Sequence, residues 1–411
     1  MDENLCTRCK GKNLCGKPFC TILSNVGQFS KVIENTSENF TGTSPPSCFV
    51  GRTDYPRVNL NILTPSYEDK YSWTRDSPSF WYRKGFKIPD ILKRRSDMVA
   101  VRSKVDVKAS GDRFLDIAQE IAQAKNQVDA EFWLKKKPRF NISFDSRLAP
   151  IGSPAEVEKA KLIGNVSVSR PVDKAVSDTD LKATGAIEYL HQKNIDENTI
   201  TKILSLGLLG LEKNRKLVPT RWSITAVDDM ISKRLIEKAK DFNVTGSYQV
   251  FSNTYLGNHF EILIIPREWQ FEVIETKFEG SVWNPDGQSP VIFSDYEGYY
   301  GRKTYASEVT GAYYSARLAA LEYLTKIKKQ AAVLSIREVY PEYDTPMGVW
   351  VIRETVRGAF QNRPTSFDAL DDALAFMKGR LRLPFGRYMK ESKLLLNIRT
   401  QSTLMNFVGK C

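Results

Sequence analysis

Four of the six cysteines fall within fifteen residues. The stretch CTRCKGKNLCGKPFC spaces Cys6, Cys9, Cys15 and Cys20 as Cys-x2-Cys-x5-Cys-x4-Cys, while Cys48 and Cys411 stand alone. Gly11, Gly16 and Pro18 permit the tight turns that aim four sulfurs at one point. The opening residues, MDENLCTRCK, have neither a basic n-region nor an apolar h-region. Clustered cysteines in an unexported chain point to metal rather than disulfides. Four thiolates close a tetrahedral site with no position left for water, so the expected role is structural. Zn2+ is the expected cofactor, with an iron–sulfur cluster on the same four ligands as the alternative. Few apolar residues surround the cysteines, so metal binding would supply the folding energy of this knuckle. Arg8, Lys10, Lys12 and Lys17 surround it with positive charge that suits phosphate contact or plain solvation.

SWTRDSPSFWYRKGFKIPDILKRR, Ser72 to Arg95, offers a different chemistry. It interleaves Trp73, Phe80, Trp81, Tyr82 and Phe86 with Arg75, Arg83, Lys84, Lys87, Lys93, Arg94 and Arg95. Aromatic faces stack on unpaired bases while Arg and Lys neutralise phosphates, so the mixture suits single-stranded or distorted nucleic acid. The competing reading puts the rings in the core and the charges in solvent. Arg75, Trp81, Arg83 and Lys84 are the candidate contacts. YYGRKTYASE, Tyr299 to Glu308, carries the same ambiguity. In KLVPTRWSITAVDD, Arg221 and Trp222 precede a helix start predicted at Thr225 by a Thr225/Asp228 capping box, and helix N-termini collect anions. They join the candidates, although a Trp there serves equally well as core.

Familiar catalytic templates do not occur. The two histidines, His191 and His259, lie in no metalloprotease-like motif, and there is no GxSxG, Walker-type loop or GxGxxG before a helix. His259 and Glu261 would share one face of a strand. Asp368, Asp371 and Asp372 would share one face of a helix opened by a Thr365/Asp368 capping box. A metal-dependent nuclease, the alternative function, uses such carboxylates. Acidic residues in a first helical turn also simply stabilise the helix dipole.

The last eleven residues, QSTLMNFVGKC, pose a packing question. Leu404, Met405, Phe407 and Val408 are apolar in a place where chains fray. Gln401, Leu404 and Phe407 are spaced by three, so one 3-10 turn would align them, with Val408 completing an apolar plug. This pattern resembles the motif by which replication and repair proteins bind the PCNA sliding clamp. Val408 stands where a second aromatic is common.

These groups need elements to position them. With 411 residues and 41% hydrophobic content the chain can bury a sizeable core. Sixty Lys and Arg against 48 Asp and Glu give a net charge of +12, which attracts polyanions such as nucleic acid or acidic lipid headgroups. No apolar run reaches 18 residues, and no amphipathic basic helix suits a membrane surface, so a cytoplasmic protein without a membrane partner is expected. GDRFLDIAQEIAQAKNQ recurs at helical spacing, GSPAEVEKAK offers Ser153 and Pro154 as a helix start, and RFNISF alternates as a strand. Tyr248 to Glu279 reads as consecutive strands and ASEVTGAYYSARLAALEYLTKIKK as a long helix. LSIREVYPEYDTPMGVWVIRETV reads as strand, turn, strand. Strand runs beside helix runs predict an α+β fold. TGTSPPS, Thr41 to Ser47, has the composition of a linker or an extended crossing, giving a knuckle region and linker over 1–47, a core of one large or two packed domains over 48–398, and a flexible tail over 399–411.

Taken together, the four-cysteine knuckle, VPTRWSITAVDD and the clamp-binding tail resemble the archaeal NreA-type DNA repair family over nearly the whole chain. The resemblance implies a role in DNA repair, zinc on Cys6, Cys9, Cys15 and Cys20, and clamp contact through Gln401, Leu404, Phe407 and Val408. It implies no catalytic set.

Overall fold

Apolar and polar side chains alternate in VDAEFWL, turning Val128, Ala130, Phe132 and Leu134 inward, and such alternation builds the first of two sheets. The computed structural model describes residues 36–138, 151–285 and 287–400, with residues 9, 12 and 14, and these form an α+β protein. They divide into two compact units, one running to Ile231 and including Thr345–Trp350, the other comprising Ser232–Asp344 and the residues from Val351 on.

In the first unit, strands β1 (Asn39–Ser44), β2 (Cys48–Val50), β3 (Arg57–Thr64), β4 (Val99–Asp106), β5 (Val128–Leu134) and β6 (Ser153–Leu162) form a sheet in the order β1-β5-β6-β4-β3-β2. All neighbours are antiparallel except β4 and β6. Helices α1 (Pro78–Arg83) and α2 (Ile88–Ser96) precede β4, and α3 (Arg113–Gln123) follows it. The Asp112 carboxylate caps α3 by accepting from the Leu115 amide at 2.9 Å, and Phe114, Ile117, Ala118 and Ile121 are buried as their spacing predicts. Helices α4 (Arg170–Ser177), α5 (Ala183–Gln192) and α6 (Glu197–Ser205) complete the unit, and α7 (Thr220–Lys240) leads out of it.

In the second unit, β7 (Tyr248–Tyr255), β8 (Asn258–Ile265), β9 (Gln270–Lys277), β10 (Val291–Glu297), β11 (Ala332–Val339) and β12 (Thr365–Phe367) form the second sheet, ordered β10-β9-β11-β8-β7-β12. Helix α8 (Gly311–Lys326) covers one face, its Tyr313 ring meeting Phe271 edge-on. After α9 (Trp350–Ala359), helices α10 (Leu370–Lys378), α11 (Phe385–Glu391) and α12 (Lys393–Thr400) enclose a core on the other face around Leu263, Ile274, Leu334, Ile336, Leu374 and Leu394.

Five local expectations fail. Thr41–Ser44 belongs to strand β1, hydrogen-bonded to β5, so TGTSPPS is not a linker. GSPAEVEKAK contributes β6, where Ser153, Ala155 and Val157 face inward with period two. Helix α7 begins at Thr220, a turn before the predicted Thr225, because Pro219 already accepts from the Trp222 and Ser223 amides. VWVIRETV is helix α9, not a strand. Thr365–Phe367 is a strand, and the acidic helix starts at Leu370 with Asp371 and Asp372 in its first turn. RFNISF lies outside the described residues. No helix among the described residues is long and apolar enough to cross a membrane.

Candidate nucleic-acid interface

The basic, aromatic segment folds as a 3-10 turn (Ser72–Asp76) followed by α1 and α2. Pro78 opens α1, and Gly85 (φ 64°) closes it while Phe86 donates its amide back to the Trp81 carbonyl. The Asp90 carboxylate accepts from the Lys87 amide and starts α2. This reversal sorts the side chains. Trp81, Ile88, Ile91 and Leu92 go inside. Trp81 is fully buried, donates its indole N–H to the Thr74 carbonyl at 2.6 Å and meets Trp350 edge-on, so it presents no face to a base. Arg75 is also buried, held by Asp69, by Asp97 and by the Tyr67 hydroxyl at 2.7 Å. Both serve the fold where the sequence offered them as contacts. Beneath them Asp76 lies 3.3 Å from Arg95 and 3.7 Å from Lys202.

Arg83 and Lys84, by contrast, are exposed at the reversal, with Lys87 exposed directly before α2 and Lys93 exposed on it. Beside them three rings make an edge-to-face chain: Trp73 against Phe80 at 4.8 Å and Phe80 against Phe86 at 5.6 Å. The Arg94 guanidinium lies 4.3 Å from the centre of Phe86, and Trp73 remains 40% exposed. Such a rim can stack a base on Trp73 and neutralise neighbouring phosphates. Trp222 occupies a separate element, the first turn of α7, where its ring meets Tyr55 at 5.5 Å; both are over 40% exposed. Arg221 next to it is half-buried. The start of α7 is fastened by Thr220, whose Oγ1 accepts from the Val50 amide at 2.9 Å.

Of the knuckle cysteines, Cys9 alone lies among the described residues; Cys6, Cys15 and Cys20 lie outside them. Cys9 is buried, and its sulfur accepts from the Leu14 amide at 3.2 Å, a contact that suits a thiolate ligand. Cys48 is no candidate: burial pushes its thiol up to about 12, and its sulfur faces the Ala118 carbonyl. Gln401, Leu404, Phe407 and Val408 also lie outside the described residues; Arg399 and Thr400, assigned to the tail, end α12.

Sequence reasoning missed the buried carboxylates of the second sheet. Glu338 accepts from the Arg382 and Leu383 amides and from the Tyr340 and Tyr388 hydroxyls. Glu272 accepts from the Lys393 and Leu394 amides and the Ser392 hydroxyl, capping α12, and burial holds its carboxyl above the ordinary value. On the opposite face Glu275 meets Arg337, and Glu297 meets Arg317 at 2.8 Å. Alternation within QFEVIETK was the signal available, since it places acids on both faces of a strand enclosed by helices. His259 and Glu261 do share a strand face, 3.1 Å apart, with Thr254 Oγ1 2.7 Å from His259 Nδ1. Arg380 and Ser252 also hold Glu261, so this histidine is fixed by internal partners.

The description "Archaeal Nre, N-terminal" matches residues 14–284, and "Archaeal Nre, C-terminal" matches residues 297–407. The chain is 34% identical over 403 residues to DNA repair protein NreB of Archaeoglobus fulgidus, covering 98% of this chain and 100% of that protein. It is 35% identical over 408 residues to DNA repair protein NreA of Haloferax volcanii, covering 97% of each. Against DNA repair protein NreA of Archaeoglobus fulgidus it is 35% identical over 406 residues, covering 98% of each. No solved structure shows significant similarity to the chain.

Proposed function

This chain belongs to the archaeal Nre family, and on that premise we propose that it is a cytoplasmic DNA repair factor that the PCNA sliding clamp brings to single-stranded or damaged DNA. Likeness over nearly its whole length to proteins named for DNA repair carries this reading. Each part then has a physical task. Cys6, Cys9, Cys15 and Cys20 would hold Zn2+, which braces a knuckle too small to fold by burial. Arg83, Lys84, Lys87 and Lys93 would neutralise phosphates while Trp73 stacks a base. Gln401, Leu404, Phe407 and Val408, directly after α12, would enter the clamp pocket. Trp222 with Tyr55 offers a further exposed pair of rings.

The test is binding of a labelled single-stranded oligonucleotide across a salt series. Arg83→Ala with Lys84→Ala removes two phosphate contacts and should make the negative slope of log K against log salt shallower by about 1.4. An unchanged slope and affinity would remove the rim from the interface. Recovery of a shortened oligonucleotide after adding a divalent metal would assign the core a nuclease activity instead.

A further inference from the structure

Tyr300 is 93% exposed, the most exposed large hydrophobic among the described residues. It stands at the tip of a tight turn, in which the Gly301 amide donates to the Gly298 carbonyl at 2.9 Å and Gly301 takes φ 72°. This turn is firmly anchored. Arg302 donates to the carbonyls of Tyr296, Thr304 and Tyr305 and pairs with buried Asp295 at 3.0 Å; Asp295 in turn accepts from the Glu308 and Val309 amides. The Tyr299 ring props Tyr300 edge-on, at 5.4 Å and 87°, and itself lies under the Lys240 ammonium at 4.6 Å. An ion pair to a buried carboxylate and a stacked lysine therefore fix the turn that carries a ring contributing almost no burial to the fold.

The surroundings define the partner. Gln330 ties this corner of the second unit together, donating to the Lys240 and Phe242 carbonyls and accepting from the Trp269 amide, while the Trp269 indole donates to Glu297 at the base of the turn. Helix α7 ends here on Lys238 and Lys240, and α8 leads into Lys326, Lys328 and Lys329. Lysines at helix C-termini answer the helix dipole, but the dipole gives no reason for an exposed, preset tyrosine. A flat, exposed ring propped on Tyr299, with the Lys240 ammonium over that neighbour and also paired to Glu237 at 2.9 Å, matches an unpaired base with a flanking phosphate.

We propose that Tyr300, with Lys240 beside it on the Tyr299 ring, is a stacking contact for one unpaired base of a nucleic-acid single strand. It is separate from the Trp73 rim and rests on the reading that the chain contacts DNA. Full-length protein carrying Tyr300→Ala should bind a labelled oligothymidylate about tenfold more weakly than wild type, and Tyr300→Phe should bind like wild type because the ring face is kept. A blunt duplex of equal length should bind Tyr300→Ala and wild type alike, and the melting temperature should not move. If wild type binds no single strand, the DNA reading itself fails. If wild type binds and Tyr300→Ala matches it, the DNA reading stands and this contact is overturned. Equal losses on single strand and duplex would also overturn it, and loss of a protein partner with DNA affinity intact would mark the turn as a protein contact.

Discussion

Asp76 lies between Arg95 and Lys202, 3.3 Å from the one and 3.7 Å from the other. Burial pushes its carboxyl up, but those two cations and the Ser47 hydroxyl outweigh that and hold it below its ordinary value of 3.8. A depressed folded value means stability that is present above pH 3.8 and lost as pH falls through the folded value. Asp76→Asn should therefore cost about 3 kcal/mol at neutral pH, because buried Arg95 and half-buried Lys202 lose their partner. In denaturant titrations the gap between variant and wild type should narrow as pH falls below 3.8; a gap independent of pH would show that the charge does not matter. The same neighbourhood shows what the sequence hides. Arg75 and Arg83 look alike in SWTRDSPSFWYR, yet Arg75 is claimed by Asp69 and Asp97, the latter 22 residues away. Trp73 and Trp81 are likewise separated by tertiary packing alone: one is on the rim and the other in the core.

Elements were legible where one period dominated. The α3 helix announced itself through the spacing of Phe114, Ile117, Ala118 and Ile121, and the run from Tyr248 to Glu279 resolved into β7, β8 and β9. Errors arose where two signals coincided. Ser-Pro at the head of β6 fits both a helix start and the first residues of a strand, and the inward alternation of Ser153, Ala155 and Val157 decided it. The β-branched run in VWVIRETV favours a strand locally, but its packing made it helix α9. The cysteine cluster precedes β1, the first strand among the described residues, and the knuckle should respond to metal independently of the sheet. Elemental analysis of protein purified without chelator should find one tightly held metal per chain. Cys15→Ser should lose that metal, and the main melting transition should persist. Metal-free wild-type protein, or a core that melts with the knuckle, would refute this independence.

For the molecule as a whole, a net charge of +12 favours polyanions in general and would not by itself address the protein to a particular place on DNA. Sequence-independent attraction of this kind weakens with salt, so a tether that holds the protein near its substrate raises occupancy without new DNA contacts. The residues from Gln401 to Val408 suit that task, and they follow α12, whose first turn is fastened to the sheet by Glu272. Leu404 and Phe407 would be the anchors. Each large apolar side chain fully removed from water contributes about 1.5–3 kcal/mol. Leu404→Ala with Phe407→Ala should thus weaken clamp binding by at least about a hundredfold, every 1.4 kcal/mol being a factor of ten. Gln401 would set the register by hydrogen bonding and should cost less on truncation. If these side chains are reserved for the clamp, Phe407→Ala should abolish co-elution with PCNA and leave both the melting temperature and oligonucleotide affinity of the isolated protein unchanged. A variant that keeps full clamp affinity would end the tether reading. A variant that melts early on its own would show instead that Phe407 packs against its own chain, and the apolar terminus would need no partner.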